Sequence, residues 1–332
     1  MRIYHILRLS RFLSRVIRLY NQILSLGHMA TSSEIKKRGP GRPSKLSKQP
    51  AIKIEGIVEN TLNESNIFEY VCIDPKIFKG LFTYCKSTKS DDILIRCDID
   101  KITFFTSGNG HKSKIIAAIA GSTAVRYVCR KTFYMKIKQN NLYQIFSSVD
   151  KTFSTAMWSC NKYDKDHLFI TFKDPELDKD CEYIIKLLDF ELDNSFDMYE
   201  DMIESKNLKT MPINFILTSN QFKKSITDAN SIDDVITIEK AGDSNLKFTT
   251  SPGKEVVYSE IYKSDNKIKL QSNIDVSSSF RCSFAGKNIK FIASNLVDGY
   301  VKIFVSEVQD LILNFSIDKL QIFTFIKINN DE

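Results

Sequence analysis

One order of patterns occurs twice in this chain, and that duplication limits the fold more than any other feature. Phe68–Lys79 reads as an apolar strand, a turn at Asp74-Pro75 and the start of a helix, and Asp91–Cys97 follows as another strand. The same order returns at Ile213–Lys224 and Asp233–Glu239. Phe78-Lys79 matches Phe222-Lys223 at an offset of 144 residues, and Asp91-Asp92 matches Asp233-Asp234 at 142. A second helix pattern, Leu142, Ile145, Phe146 and Val149, has its counterpart in Ile289, Ile292, Ala293 and Leu296 at a constant offset of 147. Strand patterns precede each of these helices (Lys114–Ile119 and Val125–Arg130; Val256–Ile261 and Lys267–Ile274). More follow (Thr155–Cys160, Leu168–Phe172 and Tyr183–Leu188; Tyr300–Val305, Leu311–Ile317 and Gln321–Lys327). A supersecondary unit used twice predicts an α+β fold of two duplicated domains, each with two short helices on one face of antiparallel sheets. The expected division is an extension over 1–65, domains over 66–188 and 213–328, and a connector over 189–212.

Charge separates the extension from the rest. The net +7 is carried by residues 1–50, which hold eleven basic side chains and the single acid Glu34, while the other 282 residues hold 36 basic and 39 acidic ones. A net-acidic body does not hold nucleic acid by bulk charge, but a local basic lining or a basic tail remains open to it. Residues 1–28 are Arg-rich with near-helical apolar spacing; an upstream extension before Met29, a targeting segment and a membrane or partner helix all fit them. Residues 34–50 are a Pro/Gly/Lys tract with too few apolar groups to fold alone. Within its segment 36–45, Arg38, Gly41, Arg42, Pro43 and Lys45 resemble an AT-hook, although Pro40 splits the usual Arg-Gly-Arg-Pro. Such a tail fits an A·T minor groove or binds phosphates without sequence preference.

The lysines of the body gather on predicted helix faces. Lys76, Lys79 and Lys86 lie opposite Phe78, Leu81, Phe82 and Cys85; Lys223 and Lys224 lie off the face of Phe222, Ile226 and Ala229; Lys287 and Lys290 lie away from Ile289, Ile292, Ala293 and Leu296. The second helix is poorer, with Gln139, Asn140, Gln144, Ser147, Ser148 and Lys151. One such face is an ordinary solvated surface. Several of one sign in a net-acidic body predict a basic surface built from helices. The connector is acidic over Asp189–Glu204 with interleaved apolar residues, so it is expected to lie on the body and help form a groove.

The duplicated halves, the lysine-faced helices and the acidic connector resemble the sliding-clamp (proliferating cell nuclear antigen) family over about residues 66–328. Arg38–Pro43, Ile93–Cys97, Ile102–Phe105, Val235–Lys240, Tyr262–Ser264 and Asn266–Ile268 are similar to the clamp-like branch of the African swine fever virus group. The resemblance implies a homotrimeric ring around double-stranded DNA. Lys76, Lys79, Lys86, Lys151, Lys223, Lys224, Lys287 and Lys290 would line the hole. A DNA polymerase and other replication or repair proteins would dock by short peptides at His111, Met198, Tyr199, Met202, Phe323, Phe325 and Ile326. Edge strands carrying Cys181, Tyr183, Ile185 and Leu187, and Lys267, Ile268 and Leu270, would join the subunits. It also implies work inside the cell, at a viral replication site or in the nucleus.

No catalytic template competes. Gly108–Ser113 lacks the spacing of a phosphate-binding loop, Asp98 and Asp100 flank a turn, and the four histidines and seven scattered cysteines suggest neither a metal site nor a disulfide framework. No enzyme, cofactor, metal or small-molecule substrate is expected. A monomeric processivity factor held by charge and an AT-hook architectural or transcription factor remain the alternative functions.

Overall fold

The computed structural model describes residues 65–108, 113–148, 153–174, 176–191, 195–203, 208, 211–241, 245–251, 255–263, 280–306 and 310–327. The chain divides into two compact units, 1–60 and 61–332, and all the described residues belong to the second. The AT-hook-like tail, His111, Lys151 and residues 264–279 lie outside the described residues.

The first half runs β1 (Asn66–Ile73), α1 (Lys76–Cys85), β2 (Asp92–Cys97), β3 (Lys101–Ser107), β4 (Ser113–Ala120), β5 (Arg126–Cys129), β6 (Phe133–Lys138), α2 (Gln139–Ser148), β7 (Thr155–Asn161), β8 (His167–Asp174) and β9 (Lys179–Lys186). The connector carries α3 (Ser195–Ile203). The second half runs β10 (Ile213–Thr218), α4 (Ser219–Ile232), β11 (Val235–Ala241), β12 (Asn245–Thr250), β13 (Ser259–Lys263), β14 (Arg281–Ala285), α5 (Gly286–Ser294), β15 (Tyr300–Val305), β16 (Leu311–Ile317) and β17 (Leu320–Ile326).

Local chemistry explains the helix boundaries. Asp74 adopts a left-handed φ of 62° and its carboxylate accepts the Lys76 amide at 3.2 Å, which turns β1 into α1. Thr218 and Gln221 form a capping box, the Thr218 hydroxyl accepting the Gln221 amide at 3.2 Å while the Gln221 side chain accepts the Thr218 amide at 3.0 Å. Gly286 opens α5 where a Cβ would crowd the Asn230 side chain of α4 and the Asp234 carbonyl, so glycine lets the two helices approach without a shift.

The sheets show the duplication directly. The first half contributes β5-β1-β7-β8-β9 and β4-β3-β2-β6, the second β10-β15-β16-β17 and β13-β12-β11-β14, and all the pairings are antiparallel. β17 pairs with β4 from Gln321↔Ala118 to Ile326↔Ser113 and fuses two of these sheets into one of eight strands. By position β9 is the counterpart of β17 and β13 the counterpart of β4. Both are edge strands among the described residues.

Two cores sit on opposite faces of the eight-stranded sheet, because alternate side chains of a strand point to opposite sides. Phe104, Ile115, Ile303, Leu313 and Ile322 belong to the main core on the helix side, where Trp158 packs among Phe78, Phe82, Phe104 and Phe146. Phe105, Ile116, Phe304, Ile312, Phe323 and Phe325 belong to a separate cluster on the other side, closed by Phe196 and Tyr199 of α3. All seven cysteines are free thiols, six of them buried. Burial pushes Cys72, Cys160 and Cys282 up to about 12, so these thiols stay protonated and act as packing groups.

Candidate nucleic-acid and partner interfaces

The helix face is built from both halves. α1 packs on α2, α4 packs on α5, and the 3-10 turn Lys86–Thr88 after α1 touches α5. Across that seam the Lys89 ammonium lies 5.2 Å from the centre of the half-exposed Phe291 ring. Tyr84 of α1 also reaches into the second half, sharing a hydrogen bond with Thr324 at 2.7 Å. The four helices therefore form one continuous layer on the same side of the molecule.

Lys76, Lys79, Lys86, Lys224, Lys287 and Lys290 are exposed on this layer, and Lys223 is half-buried. Two of them also tie the helices together. The Lys79 ammonium donates to the Ser147 carbonyl at 3.4 Å, meeting the negative end of α2, and the Lys86 ammonium lies 3.6 Å over the Tyr143 ring. Lys89 joins the same surface and was not anticipated from the sequence. It follows the helix by one 3-10 turn with a φ of 54°, a position that helical periodicity does not register.

On the opposite face, the connector lies on the body as expected, but the residues assigned to a groove are largely covered. Tyr199, Phe323, Phe325 and Ile326 are buried, Met202 is half-buried, and only Met198 is well exposed, at 51%. Tyr199, Phe323 and Phe325 pack together in the outer cluster, with the Tyr199 and Phe325 ring centres 4.9 Å apart. Ile326 belongs to the helix-side core instead, because it has the other parity in β17. A helix with apolar residues at Phe196, Tyr199 and Ile203 has seated itself on the sheet and filled the depression that an open strap would leave.

Charge holds α3 in place. Arg96 of β2 donates to Glu200 at 2.6 Å and lies 3.7 Å from Asp197, with its guanidinium 4.7 Å from the Phe196 ring centre. Lys101 of β3 meets Glu200 at 2.9 Å, and the ammonium of the buried Lys114 of β4 lies 4.1 Å from the Tyr199 ring centre. Burial pulls the Arg96 guanidinium down, but Glu200 and Asp98 outweigh it and leave it above its ordinary value. Burial also raises the Tyr199 phenol and the nearby Asp310 carboxyl. Arg96, Lys101 and Lys114 alternate along their strands with core residues. That parity was readable in the sequence, but the acidic partner facing them was not.

The edges add side-chain detail to the expected assembly strands. In β9, Ile185 is buried, and Cys181, Tyr183 and Leu187 pack against the main core. The side chains that point outward are Asp180, Glu182, Ile184 and Lys186, with Ile184 61% exposed. For the second half, the edge strand among the described residues is β13, where Ile261 is 52% exposed. Lys267, Ile268 and Leu270 lie outside the described residues. Among the described residues no group of three or more His, Cys, Asp or Glu side chains could hold a metal ion, and no helix is long and apolar enough to cross a membrane.

No family model matches the chain. Among individual proteins, it is 35% identical over 300 residues to one protein of African swine fever virus, in the isolates Tick/South Africa/Pretoriuskop Pr4/1996 and Warthog/Namibia/Wart80/1980. The match covers 90% of this chain and 99% of theirs. The same figures hold for the strain Badajoz 1971 Vero-adapted. Among solved structures, the proliferating cellular nuclear antigen from Entamoeba histolytica superposes with a TM-score of 0.64 at 21% identity, over 80% of this chain and 99% of that one. The chain therefore belongs to the family of these African swine fever virus proteins and has the fold of proliferating cell nuclear antigen.

Proposed function

We propose that this protein is a DNA sliding clamp, a homotrimeric ring that encloses duplex DNA, keeps a polymerase on its template and serves as a docking platform for replication and repair proteins. The observation that carries this reading is the in-chain β17–β4 joint. The same pair of strand types, β9 and β13, ends two of the sheets among the described residues. A copy that repeats the β17–β4 joint between β9 and a neighbour's β13 extends the sheet head to tail, and a contact of that kind closes into a ring when its rotation is right. Asp180, Glu182, Ile184 and Lys186 point outward on β9, and Ser259, Ile261 and Lys263 on β13, so each edge offers an apolar residue flanked by charge.

In such a ring the helix layer faces the hole, and its lysines meet phosphates without reading bases. Enclosure rather than affinity then gives processivity. The basic segment 36–45 adds a minor-groove or phosphate contact beside the ring. The division into an extension, two clamp domains and a connector at 1–65, 66–188, 189–212 and 213–328 belongs to the same proposal.

The test is retention on DNA. Protein placed on closed circular DNA with a polymerase complex should stay bound through a salt wash and leave when the circle is cut. Equal retention on circular and linear DNA would sink the ring. Sedimentation of the chain from Met29 onward should give a trimer, and a monomer at micromolar concentration supports the charge-held monomeric factor instead. Removing residues 29–50 should weaken A·T-preferential binding without changing retention on the circle.

A further inference from the structure

The solvent face of α5 carries an aromatic ring that neither core packing nor phosphate binding explains. We propose that Phe291 is a stacking platform for unpaired bases, so that the helix layer holds single-stranded DNA by base contacts as well as by charge. The proposal rests on the reading of this layer as DNA-facing, not on closure of a ring, and adds a class of ligand to it.

Helical spacing puts Lys287, Lys290, Phe291 and Ser294 on one side of α5, and all four are exposed. The Phe291 side chain is 41% exposed, while Ile289, Ile292 and Ala293 make the core contacts. The duplication supplies an internal comparison. At the offset of 147 the counterpart of Phe291 is Gln144 on α2, and that of Lys287 is Asn140, both of them exposed. The fold therefore does not need an aromatic side chain here. A single exposed apolar residue is ordinary on a protein surface, and this one is marked out by its company.

Lys89, on the turn after α1, lies 5.2 Å from the ring centre, and α1, α2 and α5 contain no acidic residue. Cations around an accessible ring fit a polyanion that also presents flat rings, which is an unpaired nucleic-acid strand. A duplex keeps the faces of its bases stacked inside and offers this surface chiefly phosphates. The ring also stands on a fixed support. The Ser294 hydroxyl and the Asn295 amide both donate to the Phe291 carbonyl, at 2.9 and 2.8 Å, and secure the last turn of α5. A base lying on Phe291 brings its phosphates to Lys290 on the same helix and to Lys89 across the seam.

The test compares two fluorescein-labelled ligands on the full chain by anisotropy, an oligothymidylate and a blunt duplex of the same length. Phe291→Ala should weaken the oligothymidylate by about five- to 150-fold and shift the duplex far less. Phe291→Leu, which keeps an apolar side chain but no ring, should lose as much as the alanine variant, and Phe291→Tyr should restore binding. A strand of abasic sites, with the same phosphates and no bases, should not distinguish wild type from Phe291→Ala. Lys287→Ala/Lys290→Ala should weaken strand and duplex alike. The position is exposed, so the variants should fold, with wild-type Trp158 emission as the check. A Phe291→Leu variant that holds the oligothymidylate as wild type does, or equal losses on strand and duplex, would overturn the proposal. A wild type that binds the duplex but not the strand would overturn it alone, and one that binds neither would remove the DNA-facing layer as well. Both ligands are linear, so the result stands or falls apart from retention on circular DNA.

Discussion

A single aromatic side chain shows how much of the first half depends on one point. Phe78 touches Tyr70, Phe82, Phe104, Phe146 and Trp158, with ring centres 4.9 to 6.2 Å away, and is fully buried. Replacing it with alanine removes that packing and leaves a cavity that the surrounding rings cannot collapse, so Phe78→Ala should cost about 3–5 kcal/mol in denaturant unfolding. Trp158, the only tryptophan of the chain, reports the change directly. Charge gives a second prediction. Burial pushes the Glu260 carboxyl up, but the hydroxyls of Tyr258, Ser225 and Tyr262, aided by Lys224, outweigh it and leave it below its ordinary 4.5. A carboxyl held lower in the folded than in the unfolded chain stabilises the fold above its ordinary value, and that contribution fades as pH falls through the folded value. Wild type should therefore be more stable than Glu260→Gln near neutral pH, with the gap closing below about pH 4.5. A gap independent of pH would show that the four side chains are held by packing alone.

At the scale of elements, the helices were legible because 3.6-residue periodicity survives in α1, α2, α4 and α5, and because Thr218-x-x-Gln221 is a start signal in its own right. The outer cluster was not. In β17 six of seven positions are buried, so period-two alternation gives no sign of which side chains face α1 and which face α3. The placing of Ile326 with Phe323 and Phe325 failed for that reason. The connector misled in another way: its acidic and apolar residues are equally those of a strap and of a helix, and only the cations of β2, β3 and β4 decide between them. The lysine layer yields a prediction at this scale. Lys224, Lys287 and Lys290 are exposed on α4 and α5 and are not used to bind one helix to another in the way Lys79 and Lys86 are. Changing all three to glutamate should abolish stimulation of a polymerase, with a modest loss of stability because Lys224 supports the Glu260 carboxylate. Changing them to alanine should lower the slope of log affinity against log salt by about 0.9 for each phosphate no longer neutralised. An unchanged slope in a salt titration would remove these residues from the DNA-facing surface.

For the whole molecule, the duplication in the sequence anticipated the duplicated architecture, and the constant offset of 147 carries through to α2 and α5, which begin at Gln139 and Gly286. At the edges the sequence places the strand but not the direction of its side chains. The side chains named on β9 are those that turn inward, since apolar character marks burial in one's own core as readily as contact with a second copy. Ile184 is the better probe. It is 61% exposed, so Ile184→Glu should fold normally and shift the assembly from trimer to monomer in sedimentation. An unshifted boundary would separate β9 from the assembly contact. The β17–β4 joint has a further consequence, for synthesis. β4 ends at Ala120, and the strand that covers it ends at Ile326, roughly two hundred residues later. Until then a nascent chain carries one side of β4 as an open template, although its other side is already paired with β3. Long-range pairing of this sort is slow and exposed to mispairing with neighbouring chains, and a polypeptide that stops before β17 is left with an edge that recruits other chains instead of completing its own sheet.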